Sequence, residues 1–275
     1  MKDIDVAGAR VRVREWGVLG PTVLMLHGNP DTGAIWEGVA SRLAARFHCI
    51  APDLPGFGGS EEAPGYDASL EAQARFVKGV LDALAIGDPV FLVVHDIGGP
   101  YGLAWVCEEP ERVRRIGIAN TMFHSSYRWH TWARVWRTPV LGEISMALMN
   151  QALFERELRR GSRKLSRDEI RAVYARVTPA AKRAVLRWYR AMDPERFARW
   201  ESRLLALTKE RVPAIVVWGD HDPYISNLGD PAERFGAREV HHFPESGHWV
   251  IAEEPEGVAQ RLSAFFGDEG AKSQT

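Results

Sequence analysis

The chain has 275 residues, 45% hydrophobic and 26% charged, with a formal net charge of −1. It is long for one domain and short for two independent ones, and it holds enough apolar material for a large core. The near-neutral balance excludes the basic field that nucleic acid or an anionic membrane surface would require. The opening MKDIDVAGARVRVREWG carries charges throughout and lacks a signal-peptide apolar core. No run approaches the ~20 apolar residues that span a bilayer. Cys49 falls in a strand-like run and Cys107 in a helix-like one. Two buried free thiols in a reducing cytoplasm are therefore expected.

Alternation in ARVRVRE predicts an early half-exposed strand. TVLMLH is short, continuously apolar and followed by Gly28-Asn29-Pro30, as a fully buried strand would be. Trp36, Val39, Leu43 and Phe47 then recur at helical spacing. FHCIAP predicts the next strand, running into the glycine-proline loop DLPGFGGS. Leu70, Phe76, Val77, Val80, Leu81 and Leu84 mark a helix in 68–85. PVFLVV is a buried strand, Gly98–Glu108 suits a helix, and RIGIAN is a strand again. From 213 the alternation resumes with AIVVWG, a short helix around 229–235, EVHHF and a closing helix near 255–266. The tail GDEGAKSQT is expected to be disordered.

Between these halves, residues 122–205 show helical patterns, no strand-like run and five of the ten tryptophans (Trp129, Trp132, Trp136, Trp188 and Trp200). This segment is expected to form a helical lid on a core built from 1–121 and 206–275. Apolar strands alternating with helices predict an α/β fold with a mostly parallel sheet covered on both faces. Such sheets carry their chemistry just beyond the carboxyl ends of the strands. The residues there are His27-Gly28-Asn29, Asp96, Asn120, Asp220-His221-Asp222 and, after the last strand, His248.

VVHDIGG, VVWGDHDPYIS, PESGHWVIAEEPE and HGNP resemble, in this order of argument, the nucleophile elbow, acid loop, histidine loop and oxyanion loop of the α/β-hydrolase fold. The resemblance covers about residues 10–266. It implies Asp96 as nucleophile, Asp222 as acid and His248 as base, with the backbone N–H groups of Asn29 and Ile97 as the oxyanion hole. Asp96 as a mere helix cap would leave the acid and histidine loops unexplained. An aspartate in place of serine changes the chemistry. Already anionic at neutral pH, it can displace a leaving group from saturated carbon, and the resulting ester can then be hydrolysed. Haloalkane dehalogenases and α/β-hydrolase epoxide hydrolases work in this way.

The remaining polar residues near these motifs are given supporting roles. Asp220 is expected to cap its loop, His95 and His221 to neighbour the reacting groups, and His27 to support the oxyanion loop. His241 and His242 lie within a strand pattern. No metal and no cofactor are implied; GFGGS lacks the lysine of a phosphate-binding loop. The expected partner is a small apolar substrate, and pattern does not reveal the oligomeric state.

The leaving group separates the two chemistries. HGNPDTGAIW resembles the dehalogenase loop, in which the Asn side chain donates to halide, so that role carries over to Asn29; Trp36 also matches, as a packing residue beside the substrate contacts. Where the dehalogenase pattern places a tryptophan after the nucleophile, this chain has Ile97. Trp132 and its neighbours Trp129 and Trp136 are candidate donors from the lid. VLRWYRAMDPERF resembles the epoxide hydrolase segment with a ring-opening tyrosine, which would be Tyr189. The first lid tyrosine of that family is absent from PVLGEI; Tyr127 comes too early, and Tyr174 and Tyr224 are expected to pack. The dehalogenase-like reading leads, with the epoxide one as its alternative. A ligand-sensing protein and an acyl hydrolase using water directly are the readings from other classes.

Overall fold

The structure is a computed structural model and describes residues 1–225 and 229–267. The tail singled out above lies, from residue 268 on, outside the described residues. The strands are β1 (Lys2–Val6), β2 (Ala9–Trp16), β3 (Thr22–Leu26), β4 (His48–Pro52), β5 (Val90–His95), β6 (Val113–Ala119), β7 (Ala214–His221) and β8 (Glu239–Gly247). The helices begin with α1 (Glu37–Leu43), α2 (Leu70–Ala83) and α3 (Gly98–Glu108). Next come α4 (Thr131–Arg137), α5 (Leu141–Leu148), α6 (Gln151–Gly161), α7 (Arg167–Tyr174), α8 (Pro179–Ala191) and α9 (Ala198–Glu210). The chain closes through α10 (Pro231–Phe235), α11 (Val250–Glu253) and α12 (Pro255–Gly267).

The eight strands form one sheet in the order β1-β2-β4-β3-β5-β6-β7-β8. The β1–β2 and β2–β4 pairs are antiparallel and the rest parallel. Every residue of β5 is buried, as an inner parallel strand covered on both faces must be. On one face, α1, α11 and α12 contribute to a core around Trp36, Leu43, Val250, Leu262 and Phe266. On the other, α2, α3, α9 and α10 contribute to the larger core, which also takes in Ala133 of α4 and Trp188 of α8.

Sequence pattern did not reveal β1. Only Val6 of KDIDV is buried, so this edge strand has almost no apolar face to signal it. Its charges suit an edge that must not pair with another chain.

Between β6 and β7 the described chain holds α4 to α9 and no strand. The last of these, α9, packs against α3 and so belongs by contact to the sheet-covering layer.

The β5–α3 junction fixes the geometry beyond it. The strand ends at His95, Asp96 takes a left-handed φ of 49°, and α3 begins at Gly98. A carboxylate residue tolerates that region better than most side chains, but at a cost that its surroundings must offset. Two bonds to the end of β6 and one from the first turn of α3 do so. The Asp96 N–H donates to the Asn120 carbonyl at 3.1 Å, Thr121 Oγ1 donates to the Asp96 carbonyl at 2.5 Å, and Gly99 N–H donates to that same carbonyl at 2.9 Å. Gly98 is needed because a Cβ there would run into the Leu26 and His27 carbonyls of the neighbouring strand. Backbone cannot give way as a side-chain tip can. We therefore expect Gly98→Ala to cost about 1–3 kcal/mol, the range for overpacking, read as a lower urea midpoint at unchanged slope. Wild-type stability in that variant would show that the turn has slack.

Candidate active site

Asp96, His248 and Asp222 come from the ends of three strands and meet in one line. His248 Nε2 lies 2.9 Å from Asp96 Oδ2, and His248 Nδ1 lies 2.7 Å from Asp222 Oδ2. The His248 and Asp222 side chains are each 2% exposed and that of Asp96 14%. Only the first carboxylate of the line therefore opens to the cleft above the sheet. The second oxygen of Asp96 faces the backbone: the N–H groups of Asn29, at 3.4 Å, and of Ile97 both donate to Oδ1. Gly28 lets the Asn29 loop lie this close, since a Cβ on it would overlap the Asp96 side chain.

The electrostatics follow from burial and pairing together. Burial works against charge on all three groups, but the pairing wins. The His248 hydrogen bond and charge hold Asp96 below the usual carboxylate range, and His248 acts on Asp222 in the same direction. Both carboxylates in turn raise the proton affinity of His248. The resting line is thus carboxylate, imidazolium, carboxylate.

Supporting residues fall largely where expected. His27 accepts from the Leu54 N–H at 2.8 Å through Nε2, lies 2.9 Å from the Gly28 carbonyl through Nδ1, and so braces the oxyanion loop. His95 Nε2 meets the His248 carbonyl at 2.9 Å; burial pushes its pKa down to about 4, so this ring is neutral. Asp220 and His242 pair at the surface at 2.6 Å, apart from the line.

The cleft above Asp96 encloses about 1160 Å³, its open mouth included. Asn29, Ile97, Tyr189 and Trp132 line it, as do Trp129, Trp136 and Trp188. Burial together with the Asp96 charge holds the pKa of Tyr189 well above that of a free phenol, although the nearby Asn29 side chain pulls the other way. Arg137 sets the height of Tyr189 by donating to its carbonyl at 2.5 Å and to that of Met192. The indole N–H groups of Trp129, Trp136 and Trp188 are buried and find no acceptor among the described residues.

Two expectations need correction. Trp36 does not line the cleft; it is fully buried on the opposite face of the sheet, among Val39, Leu43 and their neighbours. Tyr127 and Tyr224 do line the cleft, although sequence position set the first aside and gave the second to packing; the Tyr127 hydroxyl donates to the Tyr224 carbonyl at 2.9 Å. Tyr174 packs against Phe154, as expected.

Two polar residues escaped the sequence reading, and a third was named there without a role. His130, on the cleft wall, caps α4 and approaches Tyr189. Asp31 is buried behind the oxyanion loop, where Trp249 Nε1 donates to it at 3.1 Å and Arg176, between α7 and α8, reaches it at 3.5 Å. Burial raises its pKa to about 6 despite that arginine. Asn120 was noted only as a residue following a strand. Its Nδ2 donates to Asp222 Oδ2 at 2.9 Å and to the Gly219 carbonyl at 3.0 Å, while its Oδ1 accepts from the Gly219 N–H at 2.9 Å. An asparagine directly after an inner-strand run was the available signal. Asn120→Ala would take one hydrogen bond each from the Gly219 N–H, the Gly219 carbonyl and Asp222 Oδ2, the last of which keeps His248. We expect a loss of stability of about 1–3 kcal/mol together with slower turnover; unchanged turnover would show that Asp222 needs no such anchor.

The chain matches the family model of the α/β hydrolase fold over residues 21–255. Haloalkane dehalogenase 2 of Mycobacterium tuberculosis is 27% identical over 96% of this chain and 93% of its own length. Among solved structures, a haloalkane dehalogenase described as ancestral superposes with a TM-score of 0.79 at 25% identity, covering 97% of this chain and 98% of that one. The Cif epoxide hydrolase of Acinetobacter nosocomialis shares the fold, with a TM-score of 0.82 at 22% identity over 96% of this chain and 88% of its own. The chain is a hydrolase belonging to the α/β-hydrolase fold family, similar along nearly its whole length to haloalkane dehalogenases.

Proposed function

We propose that this protein hydrolyses a small apolar electrophile through a covalent ester on Asp96, with halide as the leaving group. One observation carries the ester mechanism: the two oxygens of Asp96 have different partners. Oδ2 faces His248, and Oδ1 faces the amides of Asn29 and Ile97. In this reading Oδ2 attacks the carbon that bears the halogen, the carbon–halogen bond breaks with its electron pair on the halide, and Oδ1 becomes the ester carbonyl. Those amides are then in place for the oxyanion that forms when water adds.

The same step turns His248 into a base. In the resting enzyme two carboxylates hold its proton. Alkylation neutralises one of them, so the proton affinity of His248 falls, its proton leaves to solvent, and Nε2 can take a proton from water. Asp222 keeps the ring oriented throughout. Helices α4 to α8, the part of residues 122–205 outside the sheet-covering layer, act as the lid, and their aromatic side chains keep bulk water from the ester.

Halide is favoured because the cleft lining includes neutral donors for a departing anion, the Asn29 side-chain amide and the Tyr189 hydroxyl. A phenol held well above its usual pKa is a better hydrogen-bond donor than proton source. The second reading, epoxide opening, rests on that same Tyr189 hydroxyl beside Asn29 acting as the acid.

A panel of bromoalkanes and aryl epoxides, with halide and diol followed separately, decides between them. We expect halide. Asn29→Ala should then lose on the order of 10²-fold in rate, by analogy with one oxyanion-type donor, and Tyr189→Phe no more than that. Diol formation, with Tyr189→Phe losing about 10²- to 10⁴-fold and Asn29→Ala less, would establish the epoxide reading.

His248→Phe provides the test of the ester itself. Attack on saturated carbon needs no base and hydrolysis does, so this variant should gain the mass of one alkyl group, without halogen, on the peptide containing Asp96. Asp96→Asn should gain none. An unlabelled His248→Phe protein, with a substrate that the wild type turns over, would reject the mechanism. Ester turnover that survives Asp96→Asn would point to water as the direct nucleophile.

A further inference from the structure

We infer that His130 positions Tyr189: its Nε2–H donates to the phenol oxygen and turns the Tyr189 O–H onto the departing atom, making up for the donor that Ile97 cannot supply. The inference rests on the aspartyl-ester reading above and names a residue which that reading does not use.

The tautomer follows from the fold. His130 is the N-cap of α4, and its Nδ1 accepts from the Ala133 N–H at 3.3 Å. A neutral imidazole has one donor and one acceptor, so an accepting Nδ1 leaves the hydrogen on Nε2. That nitrogen lies 3.4 Å from the Tyr189 hydroxyl. Burial pushes the ring's pKa down to about 4, although the Asp96, Asp222 and Glu157 carboxylates pull the other way against His248. The ring therefore stays neutral across the working range, with Nδ1 free to accept. Tyr224, at 5.1 Å between ring centroids, and Trp136, at 6.0 Å, pack edge-on against it and limit its rotation.

A phenol can accept and donate at once. With the His130 N–H on its oxygen, the Tyr189 O–H is free to point elsewhere, and the anion leaving the carbon at Asp96 is the acceptor that gains charge during reaction. The donation also polarises the O–H bond. No proton changes owner in this step. The two side chains form a short relay of hydrogen bonds from the cap of α4 to the leaving atom.

Capping and positioning are separable. His130→Asn keeps an oxygen that can cap α4 but is too short to reach Tyr189, whereas His130→Gln keeps an N–H at comparable reach. Under single-turnover conditions with a bromoalkane, His130→Asn should slow ester formation roughly fivefold, the worth of one neutral hydrogen bond. Ester breakdown should keep its rate, and the melting temperature should stay close to wild type. His130→Gln should recover part of the loss. In a Tyr189→Phe background, His130→Asn should change nothing further. Equal slowing of both half-reactions, or the same fivefold loss without the Tyr189 hydroxyl, would overturn the inference and leave His130 a structural cap.

A second readout needs no substrate and so separates this inference from the aspartyl-ester one. In protein labelled with ¹⁵N-histidine, His130 should show the Nε2-protonated tautomer from pH 6 to 9, and its Nε2 shift should move in Tyr189→Phe. An Nδ1-protonated or doubly protonated ring in that range would overturn the proposal whether or not bromoalkanes are hydrolysed.

Discussion

Asp96, His248 and Asp222 are ionisable groups drawn almost wholly out of water, and none of them could be charged there alone. An isolated buried carboxylate would give up its charge and become a carboxylic acid. Here an imidazolium between two carboxylates offsets the desolvation of all three. The arrangement depends on the ends of β5, β7 and β8 lying along one edge of the sheet, and hence on the parallel order β5-β6-β7-β8. The elbow at Asp96, the anchoring of Asp222 by Asn120 and the turn of the histidine loop are each ways of holding a charge at one end of this line.

Such a line is also poised to change. Removing the charge of one end carboxylate weakens the hold on the central proton, and alkylation of Asp96 would do that. In the proposed reaction the enzyme thus needs no separate device to make His248 a base only after the ester has formed. A serine in place of Asp96 would lack this feature, because a neutral hydroxyl needs the base from the start. In the proposed reaction the carboxylate at the tip of β5 therefore sets the order of the steps as well as the bond that forms first.

The core was legible because its signals are local. The runs TVLML, VFLVVH and AIVVWG are too apolar for any but a covered strand, and the turn after each must face the open end of the sheet. Gly98 could be read from the need for a close turn. The edge strand β1 was not legible, because exposed residues carry no period. Trp36 matched a loop pattern, but pattern does not say to which face of the sheet a ring turns. Asn120 was visible as a residue after a strand, but its partners are Gly219 and Asp222, far along the chain, and only the pairing of β6 with β7 brings them within reach.

The wall of the cleft was hardest to read for a further reason. Tyr189 and His130 belong to different helices, α8 and the cap of α4, and their side chains meet only because Arg137 binds the end of α8 and the aromatic rings pack edge to face. In such a wall, donors are exchanged between positions without leaving a motif. In the proposed reaction, the position after Asp96 holds Ile97, which has no side-chain N–H, and His130, the cap of a helix 33 positions further on, carries one. What must be kept is an N–H or O–H pointing at the place where charge develops, since the energy depends on that direction and not on the element that carries it. The line of charged groups at the sheet is bound to its motifs by geometry, whereas the leaving-group side is bound only to a location. Relatives of similar fold can therefore share the first and differ in the second.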